Sequence, residues 1–251
     1  MSLLEFLNGE TPTRRSMSLM HCTPVLQGVR ALDQGALRVR PCSNYGDRPM
    51  VYLFYGRPAF KPMPGMLPAR MEEHLPMCLV LDAGLIGRAV RIVPFDSGGF
   101  ARYQPMVGPL ARDRFELHPS PDLPRRIVGA FFETNANYFH QMPTREEIDI
   151  SLLHPEARAI VRLSRDPALA DDDDRRTTIE IQLEEDVVIE SALKAIIGPP
   201  LLFDEPVVAR ALAASGAVPL SYETFGRQSP SFYASQLYVQ AKGLLRKRGM
   251  L

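Results

Sequence analysis

Short apolar runs and segments of helical periodicity alternate along this chain. Runs of about four to eight residues that are rich in apolar, β-branched and aromatic side chains are typical of strands. Such runs predict strands at residues 18–22, 50–55, 75–82, 127–132, 148–153, 177–182, 195–197 and 218–222. The run at 177–182 alternates between apolar and polar positions, so a half-buried strand is expected there. Because 23 prolines are spread through the intervening loops, the pattern favours many short strands over a helical bundle.

Helical spacing of apolar residues predicts helices at four places. The first helix follows Thr23, a capping residue, and Pro24, which suits a first helical turn because no N–H is needed there. Gly35 is the expected stop of this helix. The other three are predicted at residues 155–165 as a helix or turn, at 206–215, and at 230–248 with one continuous apolar stripe.

The domain organisation follows from where these patterns begin. Residues 1–17 show no periodicity, since Pro12 and the pair Arg14-Arg15 interrupt it, and we expect a flexible N-terminal arm. Residues 18–251 are then expected to form a single α+β domain. The segment from about residue 201 is a candidate helical subdomain.

Composition narrows the class of protein. Of the 251 residues, 45% are hydrophobic and 23% charged, which is ordinary for a globular chain. No basic segment precedes a long apolar run, and no apolar stretch approaches 18 residues, so we expect a soluble, cytoplasmic protein without membrane contact. Cys22, Cys42 and Cys78 form no C-x-x-C pair and are expected to be reduced core residues. The 29 basic and 29 acidic residues balance, so any nucleic-acid partner has to be held locally.

Common catalytic motifs are missing from the sequence. There is no Walker loop, no G-x-S-x-G, no H-E-x-x-H and no G-x-G-x-x-G after a strand, and the five histidines lack ligand spacing. Kinases, serine hydrolases, dinucleotide dehydrogenases and zinc enzymes are therefore disfavoured. Asp96, the acidic run at residues 171–174 and Glu180 leave a metal-dependent nuclease as one alternative.

Three segments resemble the motif strands of the ADP-ribosyltransferase fold. His21-Cys22-Thr23, ahead of the first helix, is similar to the H-x-T strand of that family, and residues 51–58 (Val-Tyr-Leu-Phe-Tyr-Gly-Arg-Pro) are similar to its second motif strand. The Gly-Arg-Pro ending resembles bacterial DNA-targeting ADP-ribosyltransferase toxins. Residues 177–182 are the candidate third motif, and the resulting H-Y-E order resembles that of poly(ADP-ribose) polymerase catalytic domains. The resemblance implies a split antiparallel β-sandwich with flanking helices.

The same resemblance implies a set of site residues and NAD as the substrate. His21, with Thr23 in the same motif, would bind the ribose and adenosine end of NAD, and Tyr52 or Tyr55 would stack on the nicotinamide. Arg57 is a candidate for the NAD phosphates, with a carboxylate as its alternative partner. Glu180 would be the catalytic carboxylate, because cleavage of the nicotinamide bond develops positive charge on the ribose. The expected activity is ADP-ribosyl transfer to a macromolecular acceptor, nucleic acid or protein, or hydrolysis of NAD.

Some assignments stay open at the level of sequence. Many members of the family have glutamate or glutamine two residues before the catalytic glutamate, whereas this chain has Thr178 there. Three further glutamates are therefore alternatives for the catalytic group: Glu133, Glu190 and Glu205. Residues 96–99 (Asp-Ser-Gly-Gly) form either a plain turn or a pocket wall that offers backbone N–H groups. A non-catalytic binding module with the same fold is the other functional alternative.

Overall fold

The strands are distributed over the whole length of the computed structural model, which describes residues 2–61, 71–165, 174–227 and 229–251. They are β1 Leu19–Pro24, β2 Ala36–Leu37, β3 Arg40–Cys42, β4 Arg48–Tyr55, β5 Pro76–Leu81, β6 Arg91–Val93, β7 Glu180–Leu183, β8 Val187–Val188, β9 Leu193–Gly198 and β10 Val218–Ser221. The helices are α1 Leu3–Asn8, α2 Val25–Asp33, α3 Phe100–Val107, α4 Leu123–Phe132, α5 Asn135–Phe139, α6 Pro155–Arg165, α7 Ile189–Ala192, α8 Pro206–Ser215 and α9 Pro230–Lys247. The predicted α+β class is confirmed.

One sheet dominates the architecture. Seven of its strands follow the order β10-β9-β5-β1-β4-β7-β6, and β3 pairs with β4 as the eighth. Strand pairing is antiparallel except between β9 and β10. The strands β2 and β8 form a separate two-stranded sheet. In this order β1, β4 and β7 are adjacent, so the three strands that carry His21, Tyr52 and Glu180 lie side by side.

Strand β7 is buried at each of its four positions, Glu180 to Leu183. The alternation of its sequence predicted a half-buried strand, and this prediction is wrong. The reason lies in its place in the sheet, because β7 pairs with β4 on one side and with β6 on the other. Two polar side chains, Glu180 and Gln182, are therefore held inside the protein, where they need hydrogen-bond partners.

Four helices agree with the predicted positions: α2, α6, α8 and α9. Thr23, however, belongs to β1, and Pro24 takes the N-cap position of α2 without a side-chain capping bond. Gly35, just after α2, has a φ of +68°, a left-handed conformation that suits glycine and ends the helix.

Two predicted strands are wrong. Residues 127–132 belong to the helix α4, which places Ile127, Val128 and Phe131 on its buried side. Such a short apolar run does not distinguish a strand from a buried helix. Residues 148 and 149 belong to a short 3₁₀ turn, Glu147–Asp149, and residues 150–153 are irregular. Ile148 is 88% exposed. Apolar composition without a partner strand did not produce a strand there.

A packed helix stands where the sequence indicated a flexible arm. In α1 the Ser2 side chain accepts from the Glu5 backbone while the Glu5 side chain accepts from the Ser2 backbone, which is a capping box. Leu3 and Leu7, one helical turn apart, are buried in the core, and α1 contacts α4. The sequence pattern does not predict α1, because a helix of six residues is too short to show a clear apolar period. Among the described residues, no helix is both long and apolar enough to cross a membrane.

Candidate functional site

A cavity of about 230 Å³ lies where β1, β4 and β7 run together, and we call it the inner cavity. Among the residues that line it are His21, Tyr52, Phe54, Asp96, Arg175 and Glu180. Pairing in the sheet explains the meeting, because Phe54 is directly opposite Glu180 and Tyr52 is directly opposite Gln182. Three residues that are far apart in sequence, His21, Tyr52 and Glu180, thus share one cavity.

Glu180 is the most deeply placed ionisable group of the inner cavity, with 1% of its surface exposed. Its Oε1 accepts a hydrogen bond of 2.7 Å from the Ser97 hydroxyl and one of 2.6 Å from Nε2 of Gln182. Burial, followed by the negative charge of Asp96, raises the pKa of Glu180 to about 8. Burial and the neighbouring charge thus favour the protonated form of this carboxyl group.

The amide of Gln182 is oriented by its neighbours. Nη1 of Arg91 donates to its Oε1 over 2.5 Å, and a guanidinium can only donate, so the amide oxygen faces Arg91. The amide nitrogen then faces Glu180 and also donates to the hydroxyl of Tyr45 over 3.1 Å. This arrangement fixes the position of the Glu180 carboxyl from two sides, through Gln182 and through Ser97.

Asp96 lies beside Glu180 and is also buried, with 4% exposed. Its Oδ1 accepts from the N–H of Gly98 at 3.3 Å, and its Oδ2 lies 3.2 Å from Nη2 of Arg175. The contact with Arg175 is an ion pair without hydrogen-bond geometry at Oδ2. Two buried carboxyl groups, Asp96 and Glu180, and the buried guanidinium of Arg175 thus line the same cavity.

His21 is held against the neighbouring strand. Its Nδ1 lies 3.0 Å from the carbonyl oxygen of Tyr52. Burial lowers the pKa of His21, and the positive charge of Arg40 acts in the same direction, against the raising effect of the Tyr52 carbonyl. The imidazole is therefore neutral at pH 7.

The two candidate tyrosines point to opposite faces of β4. Tyr52 lines the inner cavity, and its hydroxyl donates to Sγ of Cys42 over 2.7 Å. Tyr55 lies three positions further on, so its side chain is on the other face, where it is fully buried and its hydroxyl accepts from the N–H of Met17. Of these two tyrosines, Tyr52 is the one that a ligand in the inner cavity would meet.

A second cavity of about 600 Å³ adjoins the inner cavity, and we call it the outer groove. His21, Cys22, Cys42 and Tyr52 line both spaces. The outer groove also contains Thr23 and three arginines, Arg30, Arg38 and Arg40. Arg38 is paired with Asp186 at 2.6 Å. The groove thus has a positive wall next to a cavity that holds the buried carboxyl pair.

Arg57 lies elsewhere. Its Nη1 donates to Oγ1 of Thr178 over 2.8 Å and its Nη2 to the hydroxyl of Tyr238 over 3.2 Å. The guanidinium also lies over the rings of Tyr138 and Tyr238, 5.9 and 5.5 Å from their centroids. It lines a separate cavity of about 370 Å³ together with His140 and Lys242. In the described structure Arg57 supports the start of β7 from outside the inner cavity.

The three alternative glutamates are remote from this constellation. Glu133 follows α4 at a φ of +62° and lines another cavity, of about 550 Å³, with Glu10 and His154. Glu190, in the first turn of α7, and Glu205, ahead of α8, are both exposed to solvent. Among these four glutamates, Glu180 is the one that lines the inner cavity with His21 and Tyr52.

Sequence reasoning missed the side chains that hold Glu180. At residues 96–99 the sequence indicates a turn or backbone donors, and for the Asp96 carboxylate a metal ligand, whereas in the structure the Ser97 hydroxyl donates to Glu180. Gln182, which also donates to Glu180, is not among the site residues that the sequence predicts. Its spacing of two from Glu180 on a strand was the available signal, because residues i and i+2 share a face.

A metal centre was the basis of the nuclease alternative. Of the acidic run, residues 171–173 lie outside the described residues. Within the described part of the chain, no group of three or more His, Cys, Asp or Glu side chains is arranged to hold a metal ion.

Comparison of the chain with family models, with curated proteins and with solved structures finds no match.

Proposed function

We propose that this protein transfers ADP-ribose from NAD to a macromolecular acceptor, with water as the acceptor in NAD hydrolysis. The observation that carries the proposal is the meeting of His21, Tyr52 and Glu180 at the inner cavity, on three adjacent strands. The resemblance of the three motif segments to ADP-ribosyltransferases suggested this set before any geometry. The split-sandwich form of the fold that the resemblance implies stays a prediction.

The inner cavity has the chemistry to receive the nicotinamide ribose. Tyr52 offers an aromatic face, which attracts a flat cationic ring by stacking and by the cation–π effect. Because Nδ1 of neutral His21 donates to the Tyr52 carbonyl, Nε2 is left as an acceptor for a ribose hydroxyl. Both side chains also line the outer groove, so one ligand can span the two spaces.

The outer groove supports the anionic half of the same ligand. Arg30 and Arg40 can hold a pyrophosphate by charge-assisted hydrogen bonds, while Arg38 is already engaged by Asp186. The two cavities, of about 230 and 600 Å³, fall together within the range of roughly 300–1,000 Å³ that is usual for ligand sites.

Glu180 would act on the bond that joins nicotinamide to its ribose. When this C–N bond breaks, the electron pair leaves with nicotinamide and positive charge develops at the ribose carbon. An ionised Glu180 beside that carbon stabilises the charge, and it can then take the proton from the attacking hydroxyl or amine of the acceptor. Ser97 and Gln182 keep the carboxylate in place by binding its Oε1.

A non-catalytic NAD-binding module is the second candidate. It is favoured by one observation, the burial of Glu180 in the same cavity as Asp96. This burial raises the pKa of Glu180 to about 8, and a protonated carboxyl does not stabilise a cation. The two candidates differ in turnover, whereas both require NAD to bind.

The test combines turnover with binding. The purified protein is incubated with NAD while nicotinamide release is followed, and thermal unfolding is measured with and without millimolar NAD. We expect release of nicotinamide and a stabilisation by NAD, since a ligand that binds the folded state alone raises its stability by about 2.7 kcal/mol at 100 times its Kd.

Two isosteric variants separate the assignments. Glu180→Gln should lower turnover roughly 10²- to 10⁴-fold with little change in NAD binding, because it removes the charge and keeps the shape. Glu133→Gln is the matched control and should leave turnover unchanged. Stabilisation by NAD without nicotinamide release would support the binding module, and the absence of both effects in folded protein would reject NAD as the ligand.

A further inference from the structure

Asp96 and Glu180 are two buried carboxyl groups that line the inner cavity. The negative charge of Asp96 acts on Glu180 and helps to raise its pKa. The residue between Asp96 and Gly98, Ser97, donates directly to Glu180, which ties this loop to β7. Two carboxylates so close together and out of water repel each other strongly, so the pair is expected to share one proton.

The surroundings of the two groups are unequal. Asp96 has the guanidinium of Arg175 at 3.2 Å and the N–H of Gly98 at 3.3 Å. Among the described residues, the hydrogen-bond donors to Oε1 of Glu180 are two neutral groups, those of Ser97 and Gln182. A nearby cation favours the charged form of its neighbour, so the negative charge belongs on Asp96 and the proton on Glu180.

Other charged or titratable groups reach the same cavity from each element packed against β7. Those that line it are His21 and Cys22 on β1, Cys42 on β3, Tyr52 on β4, Lys61 beyond β4 and Arg175 ahead of β7. Two more contact Gln182, which binds Glu180: Tyr45 ahead of β4 and Arg91 on β6. Burial keeps both tyrosines protonated, because it raises the pKa of each. Lys61 is exposed to solvent, which screens its attraction for a negative charge on Glu180. The protonated form of Glu180 is therefore favoured, because burial first and Asp96 second raise its pKa to about 8.

We propose that Asp96 is a positioning residue that keeps the proton on Glu180 while the inner cavity is empty, and that a cationic ring entering the cavity releases this proton to solvent. The proposal deepens the proposed function and rests on it for the identity of the cation, the nicotinamide ring of NAD. No bond other than the O–H bond of Glu180 breaks in this step, and its proton passes to water. The carboxylate is then formed only when a ring is present to be cleaved.

The first measurement needs no activity. The folded-state pKa of Glu180 lies above its usual value of 4.5, so the folded protein retains a proton that the unfolded chain loses. Between about pH 4.5 and 8 this makes the folded-to-unfolded ratio fall with rising pH, by up to about tenfold per pH unit. The difference in stability between wild type and Glu180→Gln, from denaturant unfolding at pH 5 to 9, isolates the contribution of the carboxyl pair, because titrating groups that do not interact with Glu180 cancel.

The second measurement uses Asp96→Asn and a matched control. Asp82→Asn is a close match, because Asp82 also accepts from a glycine N–H two residues on, Gly84, and also pairs with a cation, Lys194, at 3.2 Å. In wild type, the rate of nicotinamide release should rise with pH, and the pKa of Glu180 should set the midpoint of this limb of the pH–rate profile. Asp96→Asn should move the midpoint of this limb to lower pH by about one unit or more, and Asp82→Asn should leave it in place.

The outcomes separate the pair from the function. A pH-independent difference between wild type and Glu180→Gln overturns the carboxyl pair, even if NAD is turned over and even if Asp96→Asn does not fold. If Asp96→Asn leaves the midpoint of the pH–rate profile unchanged, the role of Asp96 is overturned, while the ADP-ribosyltransferase proposal stands. A pH-dependent difference in a protein that releases no nicotinamide supports the proton on Glu180 and rejects the proposed function.

Release of a proton on binding of a cationic ring is the direct test of the proposed ionisation of Glu180. 1-Methylnicotinamide carries the cationic ring of NAD without its phosphates, and neutral nicotinamide is its uncharged counterpart. Titration calorimetry in two buffers of different ionisation enthalpy should show protons leaving on binding of the cation and not on binding of the neutral compound. Binding of the cation without proton release would contradict the proposed ionisation of Glu180.

Discussion

Nδ1 of His21 lies 3.0 Å from the carbonyl oxygen of Tyr52, a contact that joins β1 to β4 at the inner cavity. A carbonyl oxygen only accepts, so the ring proton of neutral His21 sits on Nδ1 and Nε2 is left as an acceptor. Burial holds the pKa of His21 below its usual value and so favours the neutral ring at pH 7, while the Tyr52 carbonyl selects the tautomer. The sheet itself therefore sets which hydrogen bond His21 can offer to a ligand.

His21→Ala is expected to weaken NAD binding about tenfold or more, because a buried hydrogen bond to the ligand is worth about 1.5 kcal/mol. Calorimetric titration with NAD measures the change in Kd. The control is His118→Ala, since His118 is exposed and lies outside the cavity walls. An unchanged Kd in folded His21→Ala protein would remove His21 from the ligand site.

The two tyrosines of β4 are expected to respond in opposite ways. Tyr55→Phe deprives the Met17 N–H of its acceptor, which should lower the free energy of unfolding by about 1–3 kcal/mol and leave NAD binding unchanged. Tyr52→Ala should weaken NAD binding by removing the aromatic face, at a smaller cost in stability because Tyr52 is only partly buried. Denaturant unfolding and NAD titration of both variants provide the comparison. Weaker NAD binding by Tyr55→Phe alone would reverse the assignment.

Gly129 tests whether the N-terminal segment is packed rather than flexible. A Cβ at Gly129, in α4, would collide with the carbonyl oxygen of Thr11, which is a backbone atom and cannot rotate away as a side chain can. Gly129→Ala should therefore lower the free energy of unfolding by about 1–3 kcal/mol, although alanine is the better helix former. Gly243→Ala in α9 is the matched control, because no atom of the described residues outside its own helix lies within 4 Å of the added Cβ. It should stabilise the protein by up to about 1 kcal/mol. Equal stability of the two variants in thermal and denaturant unfolding would show that residues 10–13 do not pack on α4.

Local patterns predicted the strands that carry the site. The apolar runs around His21, Tyr52 and Glu180 form strands β1, β4 and β7, as expected of short segments rich in alternating and β-branched residues. The same rule was wrong at residues 127–132, where a run of similar composition is the buried side of α4. Composition does not distinguish a strand from a buried helix when the run is short, and the decision depends on which surfaces are available to cover it.

The sequence by itself therefore determined where the three strands of the site lie and which of their side chains share a face. Tyr52 and Tyr55 are an odd number of positions apart, so the sequence already requires them to face opposite ways, and only the tertiary structure decides which of them meets the cavity. The contacts of Glu180 with Asp96 and Ser97 bridge more than 80 positions, and no local period encodes such a contact. Strand order created it, by placing β7 between β4 and β6 with the loop of residues 96–99 over its first residue. The chemistry of that carboxyl group, and the proton it holds, follow from the burial that this order imposes.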